Sequence, residues 1–263
     1  MILKKNYHQR TFSLLVFAAT LVFFYIPLLL LIIFSFNKGK NIQWTGFSFH
    51  WYYDMIFKSR DLWRAFSNSL LISLTSASLS TAIGTLGGIG FYWYNFRFKK
   101  LLQFFTYLPL VIPEIIMGVS LLIFFAGLKW KLGLFTIFIA HTTFCIPFVI
   151  LIIMSRLQEF DNSIVEAAYD LGANPFQTLV RVIIPMTMPG IIASFLMAMT
   201  LSLDDFVITF FVAGPGSSTL PLHIYSMIRF GISPVINVFS VFLIGLTIIL
   251  TLSTNKIQKY MLK

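Results

Sequence analysis

The sequence contains little cysteine and little charge, and it lacks a nucleotide-binding motif. Cys145 is the only cysteine in the chain, which excludes an intramolecular disulfide and a cysteine-based metal cluster. Charged residues make up 11% of the sequence, whereas soluble domains contain roughly 25%. No stretch fits the phosphate-binding loop G-x-x-x-x-G-K-[ST]. We therefore expect neither a bound metal nor ATP hydrolysis by this chain itself.

Apolar residues dominate, at 58% of the sequence with a mean hydropathy of +0.87. A helix needs about 20 residues to cross the roughly 30 Å of bilayer hydrocarbon. Long runs of this kind favour helices over the alternating pattern of a membrane barrel. We predict an all-α integral membrane protein with a single domain over residues 1–263. Its predicted spans are 12–36, 69–94, 101–127, 132–154, 190–213 and 235–254.

The formal net charge of +10 does not indicate nucleic-acid binding. Lys and Arg lie at the termini and between the apolar runs, where residues at a membrane surface belong. The basic N-terminus precedes a run that is too long for a signal peptide, so a retained first helix is expected. The dense basic clusters, including residues 97–100, favour placing both termini in the cytoplasm.

Two segments between spans are long enough to form structures of their own on the outer face. The segment 37–67 is aromatic and mixed in charge, so we expect it at the membrane interface or as a cap on the outer face. The segment 214–234 contains several Gly and Pro residues, which favour turns over a helix.

In the fourth span, His141 is interpreted as an interhelical hydrogen-bonding residue, with a metal or proton role as the less favoured alternative.

The segment 155–189 on the inner side is too polar to span the membrane. Ser163 and Glu166 have the spacing of a capping box, so a short helix is predicted to start there and to stop at Gly172. Asn174 and Pro175 predict the start of a second short helix. That second helix is expected to end at Pro185 and Pro189. Taken alone, this segment could be an ordinary interhelical loop.

Residues 163–190 match a pattern that occurs in a known family. The sequence Glu-Ala-Ala is followed by Leu-Gly-Ala and then by a Pro-x-x-x-Pro-Gly ending. This pattern closely resembles the EAA motif of permease subunits in ABC importers. Four further stretches, 44–52, 68–70, 108–122 and 201–237, resemble the permeases of spermidine/putrescine importers. The motif residues are Glu166, Ala167, Ala168, Leu171, Gly172, Ala173, Pro185, Pro189 and Gly190.

The resemblance implies a six-helix permease with the type I ABC importer fold in a bacterial inner membrane. The EAA segment between helices four and five would be a coupling helix that contacts a cytoplasmic ATPase. The implied partners are a second homologous permease, two ATP-binding subunits, an extracytoplasmic substrate-binding protein and membrane lipid. ATP and Mg²⁺ would be bound by the ATPase, and no cofactor by this chain. The implied ATPase-coupling residues are Glu166, Ala167, Ala168, Gly172 and Ala173.

Three acidic residues lie inside the predicted spans. Asp204 and Asp205 are near the middle of helix five, and Glu114 follows two prolines in helix three, where a kinked, cavity-lining segment is expected. An intramembrane acid is a functional-site hypothesis because its insertion costs about 2.5–3.5 kcal/mol. No Lys or Arg lies in the core of these spans. We predict that Asp204, Asp205 and Glu114 line a substrate pathway.

The three acids also admit roles that the sequence does not separate from a pathway role. The carboxyl groups could be protonated through desolvation, hydrogen-bonded between helices, or paired with a partner subunit or with a loop residue such as Arg229. A cationic polyamine would use the acids directly, whereas an anionic substrate would require Arg or Lys. Rival functions are a permease for another cation, such as ferric iron, and a stand-alone secondary transporter or channel.

Overall fold

The computed structural model describes residues 6–40, 43–159, 161–230 and 233–261, and these ranges contain helices and no strand. A short 3₁₀ turn, Leu108–Leu110, and a π-helical segment, Leu179–Ile183, continue two of the helices. The α-helices are α1 (Asn6–Ser35), α2 (His50–Phe57), α3 (Arg60–Trp93), α4 (Lys99–Tyr107), α5 (Glu114–Gly127), α6 (Leu134–Gln158), α7 (Ser163–Asp170), α8 (Pro175–Thr178), α9 (Ile184–Asp204), α10 (Val207–Val212), α11 (Leu220–Phe230) and α12 (Val235–Met261).

The chain forms two compact units, and the larger one comprises Asp61–His223. In this unit α6 packs along α9, and α5 packs against α10. Helix α3 approaches α6 closely: a Cβ atom added to Gly84 would lie 2.5 Å from a methyl carbon of Val149. The close packing that small residues permit in membrane helices therefore occurs here.

The smaller unit contains residues 1–60 and 224–263. Here α1 and α2 pack against α12. The Asn37 side chain accepts hydrogen bonds from Thr45 N and Thr45 Oγ1, and its amide donates to Gln43 O. Trp51 Nε1 donates to Asn37 O. The segment between α1 and α2 is thus a hydrogen-bonded loop with aromatic side chains, which extends the sequence-based description of residues 37–67.

Within the described ranges, four helices are long and apolar enough to cross a membrane, or five if one strongly bent pair counts as a single span. The four are Phe12–Ser35, Arg60–Trp93, Leu134–Gln158 and Pro175–Asp204. Helix α12 contains a shorter apolar stretch, Val235–Ile249. Each predicted span therefore has a helical counterpart, although the boundaries and the continuity of two spans differ from the prediction.

The third predicted span, 101–127, is not a continuous helix. The helical segments Lys99–Leu110 and Glu114–Gly127 meet at an angle of 110°. Pro109 and Pro113 flank the break, and Pro113 has extended backbone angles (φ −55°, ψ 134°) just before α5 begins. Proline lacks the N–H that a continuous helix needs. The expected kink is confirmed, but it is large enough to make α4 and α5 separate helices.

The fifth predicted span, 190–213, is not one continuous helix, and the helical segment that enters it begins earlier than predicted. Pro185 and Pro189 do not end a short helix, because the helical segment runs unbroken from Pro175 to Asp204. The π-helical turn before Pro185 accommodates the ring: Ile184 N donates to Leu179 O, five residues back. At the other end, α9 stops at Asp204, Asp205 is extended (φ −65°, ψ 122°), and α10 begins at Val207.

The prediction that turns prevail in 214–234 is also wrong, since α11 covers Leu220–Phe230. Pro221 is the second residue of that helix. In the first turn of a helix the missing N–H of proline has no cost, because that position has no intrahelical acceptor. The three remaining Gly and Pro residues before α11, Gly214, Pro215 and Gly216, do form the expected turn.

Candidate functional site

Both helix breaks open onto one cavity of about 200 Å³ in the larger unit. Glu114, the first residue of α5, lies on its wall together with residues from the end of α9 and the start of α10. The structure therefore brings together all three acids that the sequence singled out. The lining residues are Glu114, Phe144, Thr200, Leu201, Asp204, Asp205, Phe206 and Val207.

The two short helices that leave this cavity pack directly on one another. A Cβ atom added to Gly118 of α5 would lie 2.6 Å from the ring of Phe211 in α10. Any larger residue at position 118 would push these helices apart. The close contact fixes the position of Glu114 relative to the break at Asp205, since both residues lie at the N-terminal ends of the packed helices.

Asp205 is buried, with 8% of its surface exposed, and is surrounded by donors. Its Oδ1 accepts from Ile208 N at 3.2 Å, and its Oδ2 accepts from Thr209 N at 2.9 Å and from Thr209 Oγ1 at 2.8 Å. His141 Nε2 lies 3.1 Å from the same Oδ2. Asp205, the residue before the N-cap Phe206, thus accepts from two of the first N–H groups of α10, which have no acceptor within the helix.

His141 of α6 is the buried partner of this carboxylate, with 1% of its surface exposed. Its Nδ1 lies 2.7 Å from Ser202 Oγ, and its Nε2 lies 2.9 Å from Thr209 Oγ1. Because a carboxylate only accepts hydrogen bonds, the contact with Asp205 places a proton on Nε2. The interhelical hydrogen bond predicted for His141 is confirmed, and it involves the helices on both sides of the break.

Asp204 and Glu114 have a different environment from Asp205. Both residues are exposed in this chain, and neither makes a hydrogen bond or an ion pair among the described residues. The break in the helix explains the difference: Asp205 turns into the α6 contact, while Asp204 remains on the last turn of α9 at the cavity.

The electrostatic character of the cavity follows from its wall. Its charged lining residues are acidic, with no Lys or Arg among them. The C-terminal end of α9 also lies there, and the last carbonyl groups of a helix have no partner within it. The dipole of α9 adds a partial negative charge there, whereas the N-terminal ends of α5 and α10 add partial positive charges, so the character of the wall is set by its carboxylates. This arrangement stabilises a cation and disfavours an anion.

The segment between α6 and α9 has the predicted helix end near Gly172 and the predicted helix start at Asn174 and Pro175, but not the predicted capping box. Helix α7 begins at Ser163, and Gly172 has a positive φ of 83° directly after it. Asn174 accepts from Gln177 N and starts α8. The predicted capping box of Ser163 and Glu166 is wrong, because Ser163 is already helical and Asn162 is the N-cap residue, without a capping side-chain bond.

Some outward-facing side chains of this segment are larger than the small residues of the EAA motif. Leu171 is 89% exposed and Phe176 is 73% exposed. Glu166 and Ala167 are exposed, Gly172 lies on the exposed turn, and Ala168 and Ala173 are half-buried. The outward surface of this segment therefore includes two strongly exposed apolar side chains on either side of the Gly172 turn, beside the small residues.

Comparison with known proteins identifies the family. The model of the binding-protein-dependent transport system inner membrane component matches residues 80–263. The chain belongs to this family. The resemblance to ABC importer permeases is thereby confirmed. As an inner membrane component of a transport system, the chain is a membrane protein, in agreement with its long apolar helices.

Two curated relatives of this inner membrane component cover most of the chain. The spermidine/putrescine transport system permease protein PotC of Escherichia coli (strain K12) is 37% identical over 242 residues, which are 92% of this chain and 91% of the relative. The putrescine transport system permease protein PotI of the same strain is 40% identical over 231 residues, which are 85% of this chain and 82% of the relative.

Solved structures show that the inner membrane component has the fold of ABC importer permeases. A bacterial ABC transporter involved in the import of the acidic polysaccharide alginate matches with a TM-score of 0.73 at 14% identity, covering 99% of both chains. An inward-facing form of the MetNI methionine ABC transporter matches with a TM-score of 0.63 at 20% identity, covering 80% of this chain and 97% of that chain. At such identities the likeness concerns the fold alone.

Sequence reasoning missed the residues that hold the site of this inner membrane component together. The sequence does not indicate that Ser202 and Thr209 contact His141 or that Thr200 lines a cavity. One signal was available: aspartate is among the residue types preferred at the start of a helix. Among the described residues, no group of three or more His, Cys, Asp or Glu side chains could hold a metal.

Proposed function

We propose that this chain forms half of the translocation pathway of an ATP-driven polyamine importer, with spermidine and putrescine as substrates. The observation that carries the proposal is the cavity at the two helix breaks, where Glu114, Asp204 and Asp205 converge without a Lys or Arg in the wall. The names of the relatives PotC and PotI support the same substrate class.

The chemistry of polyamines fits this wall. Their ammonium groups are hydrogen-bond donors with a positive charge, and they lose hydration when they enter a membrane. Two exposed carboxylates without protein partners, Asp204 and Glu114, supply acceptors that replace this water. Asp205 is already occupied by donors from α6 and α10. We therefore assign direct substrate contact to Asp204 and Glu114. To Asp205 we assign the role of shaping the break between α9 and α10.

The membrane arrangement belongs to the same proposal. We propose six spans, in which the bent pair α4 and α5 forms the third, α9 and α10 form the fifth, and α12 forms the sixth. Both termini then lie in the cytoplasm, together with the segment 155–189. The chain itself performs no covalent chemistry and binds no cofactor.

The proposed partners are a second homologous permease, two copies of a cytoplasmic ATPase that binds ATP and Mg²⁺, and an extracytoplasmic substrate-binding protein. The ATPase contact is proposed for α7 and the following turn, with Glu166, Ala167, Ala168, Gly172 and Ala173 at the interface. The exposed side chains of Leu171 and Phe176 support this assignment, because apolar side chains of this size cover a partner surface when they are buried.

The test is uptake of labelled putrescine and spermidine by proteoliposomes that contain the complete complex with its binding protein. Asp204→Asn and Glu114→Gln should each lower the uptake rate at least tenfold at an unchanged amount of assembled complex. Thr143→Val, on the outward face of α6, serves as the control. Normal polyamine uptake by both acid variants would exclude the proposed pathway residues. If ferric iron competes for uptake and polyamines do not, polyamines are excluded as the substrate.

A further inference from the structure

A buried polar network lies behind the cavity wall and crosses the break in the fifth span. His141 bridges Ser202, which lies before the break, and Thr209, which lies after it. Ser76 of α3 donates to Ser202 Oγ at 3.1 Å, so the network also reaches a third neighbouring helix. The exposed fractions of these side chains are small: 0% for Ser76 and Thr209, 1% for His141 and 4% for Ser202.

Such a bridge has a mechanical consequence. Within a continuous helix, the backbone hydrogen bonds fix the direction of each turn relative to the next. At Asp205 and Phe206 these bonds are interrupted, so the direction of α10 relative to α9 depends on side chains. The imidazole ring is rigid and has a partner at each nitrogen, one on each side of the interruption. It therefore sets the distance between the two helix ends.

We propose that His141 is the positioning residue of the cation site. By holding Ser202 and Thr209 at fixed positions, it keeps Asp205 turned into the network and leaves Asp204 directed to the cavity. The identity of the cation in this inference rests on the proposed function. The effect of His141 on the shape of the cavity does not depend on that identity. His141 touches no substrate, and its effect reaches the cargo through the two neighbouring aspartates.

The distance between the lining residues on the two sides of the break determines which cations fit the cavity. Thr200, Leu201 and Asp204 line the cavity from before the break, and Phe206 and Val207 line it from after the break. A change in the angle between α9 and α10 therefore alters the spacing between the carboxylates. Because putrescine and spermidine differ in length and number of ammonium groups, the ratio of their uptake rates should report this spacing.

Two replacements of His141 separate its contacts. His141→Gln retains a donor near the position of Nε2, whereas His141→Leu removes the contacts of both nitrogens. Ser202→Ala removes the partner of Nδ1 and one acceptor of Ser76 Oγ, which keeps its bond to Ile72 O. It provides a milder variant if His141→Leu does not assemble. Thr143→Val is the matched control, because Thr143 Oγ1 donates only to Ile139 O of its own helix, at 2.9 Å.

The experiment uses the complete complex and two readouts. The first is the ratio of putrescine to spermidine uptake per assembled complex. The second needs no transport: in a Cys145→Ser background, Thr200→Cys is labelled with a trimethylammonium methanethiosulfonate, and its rate of modification reports the shape of the cavity. A change of about two- to tenfold is expected in each readout for His141→Leu and Ser202→Ala, the fold-change of one net hydrogen bond.

The expected pattern is a changed ratio and a changed labelling rate in His141→Leu and Ser202→Ala, partial recovery in His141→Gln, and wild-type values in Thr143→Val. A purely structural role would lower the amount of complex and leave the ratio and the labelling rate per complex unchanged, which would overturn the inference. If the wild-type complex takes up no polyamine, the proposed function fails, and the labelling rates alone still decide the role of His141.

Discussion

The neighbouring acids Asp204 and Asp205 should differ in how the stability of the complex responds to the same isosteric substitution. Asp205→Asn should lower the stability of the complex, and Asp204→Asn should leave it unchanged. The difference follows from their surroundings: one carboxylate receives hydrogen bonds from Ile208, Thr209 and His141, whereas the other has no partner among the described residues.

The magnitude for Asp205→Asn follows from its donors. Oδ2 faces Thr209 N, Thr209 Oγ1 and His141 Nε2. An amide places a donor on one of the two side-chain positions, so the N–H of Thr209 or of Ile208 loses its acceptor, and the bond from His141 is weakened. The threonine hydroxyl can turn away. Each hydrogen bond to a charged group contributes about 1.5–3 kcal/mol, and two of them give a loss of about 3 kcal/mol or more. A typical protein has only about 5–15 kcal/mol of stability in total.

The assay is the yield and the melting temperature of the purified complex, followed by fluorescence-detected gel filtration after heating. Asp205→Asn should give less complex with a clearly lower melting temperature, whereas Asp204→Asn should stay within about 0.5 kcal/mol of the wild type, as expected for an exposed site. Wild-type yield and melting temperature in Asp205→Asn would refute the reasoning, because a carboxylate with four donors could then be lost without cost.

Two further substitutions test the packing and the coupling surface. Gly84→Ala should destabilise the complex by about 1–3 kcal/mol, because its Cβ would lie 2.5 Å from Val149. A Cβ at Gly90 in the same helix has nothing within 4 Å, so the control Gly90→Ala should be neutral or slightly stabilising. Melting temperatures of both variants distinguish the two cases, and equal values would count against close packing at Gly84. Leu171→Asp should lower polyamine-dependent ATP hydrolysis at least tenfold while leaving the melting temperature of the isolated permease pair unchanged, and unaffected hydrolysis would exclude Leu171 from the ATPase contact.

Composition and hydropathy were sufficient to predict the long apolar helices and their approximate places, since long apolar runs have few alternatives in a membrane. The continuity of the helices was harder to predict. Proline predicted the break before Glu114 correctly, but it predicted a stop at Pro185 that does not occur. The same residue type breaks one helix and is accommodated in another, because a π-helical turn precedes Pro185. Such a turn has no recognised sequence pattern.

The acids of the candidate site were identifiable from sequence because charge is rare in these spans. Their individual environments were not. On a continuous helix, Asp204 and Asp205 would be separated by about 100° around the axis, and both would lie at a similar depth in the bilayer with similar solvation. The actual difference arises from one extended residue and from His141, which is distant in sequence. Contacts of this kind depend on tertiary packing, so a pattern within one span does not contain them.

The break also explains why two adjacent acids are stable in an apolar helix. Unpaired backbone groups cost several kcal/mol in hydrocarbon, so an interruption of the fifth span requires donors and acceptors that replace the lost ladder. Asp205 provides acceptors for the first N–H groups of α10, and its own charge is compensated by donors from α6 and α10. The interruption that Asp205 stabilises leaves the end of α9, with Asp204, at the cavity. One aspartate therefore builds the opening at which the other is available to a cation.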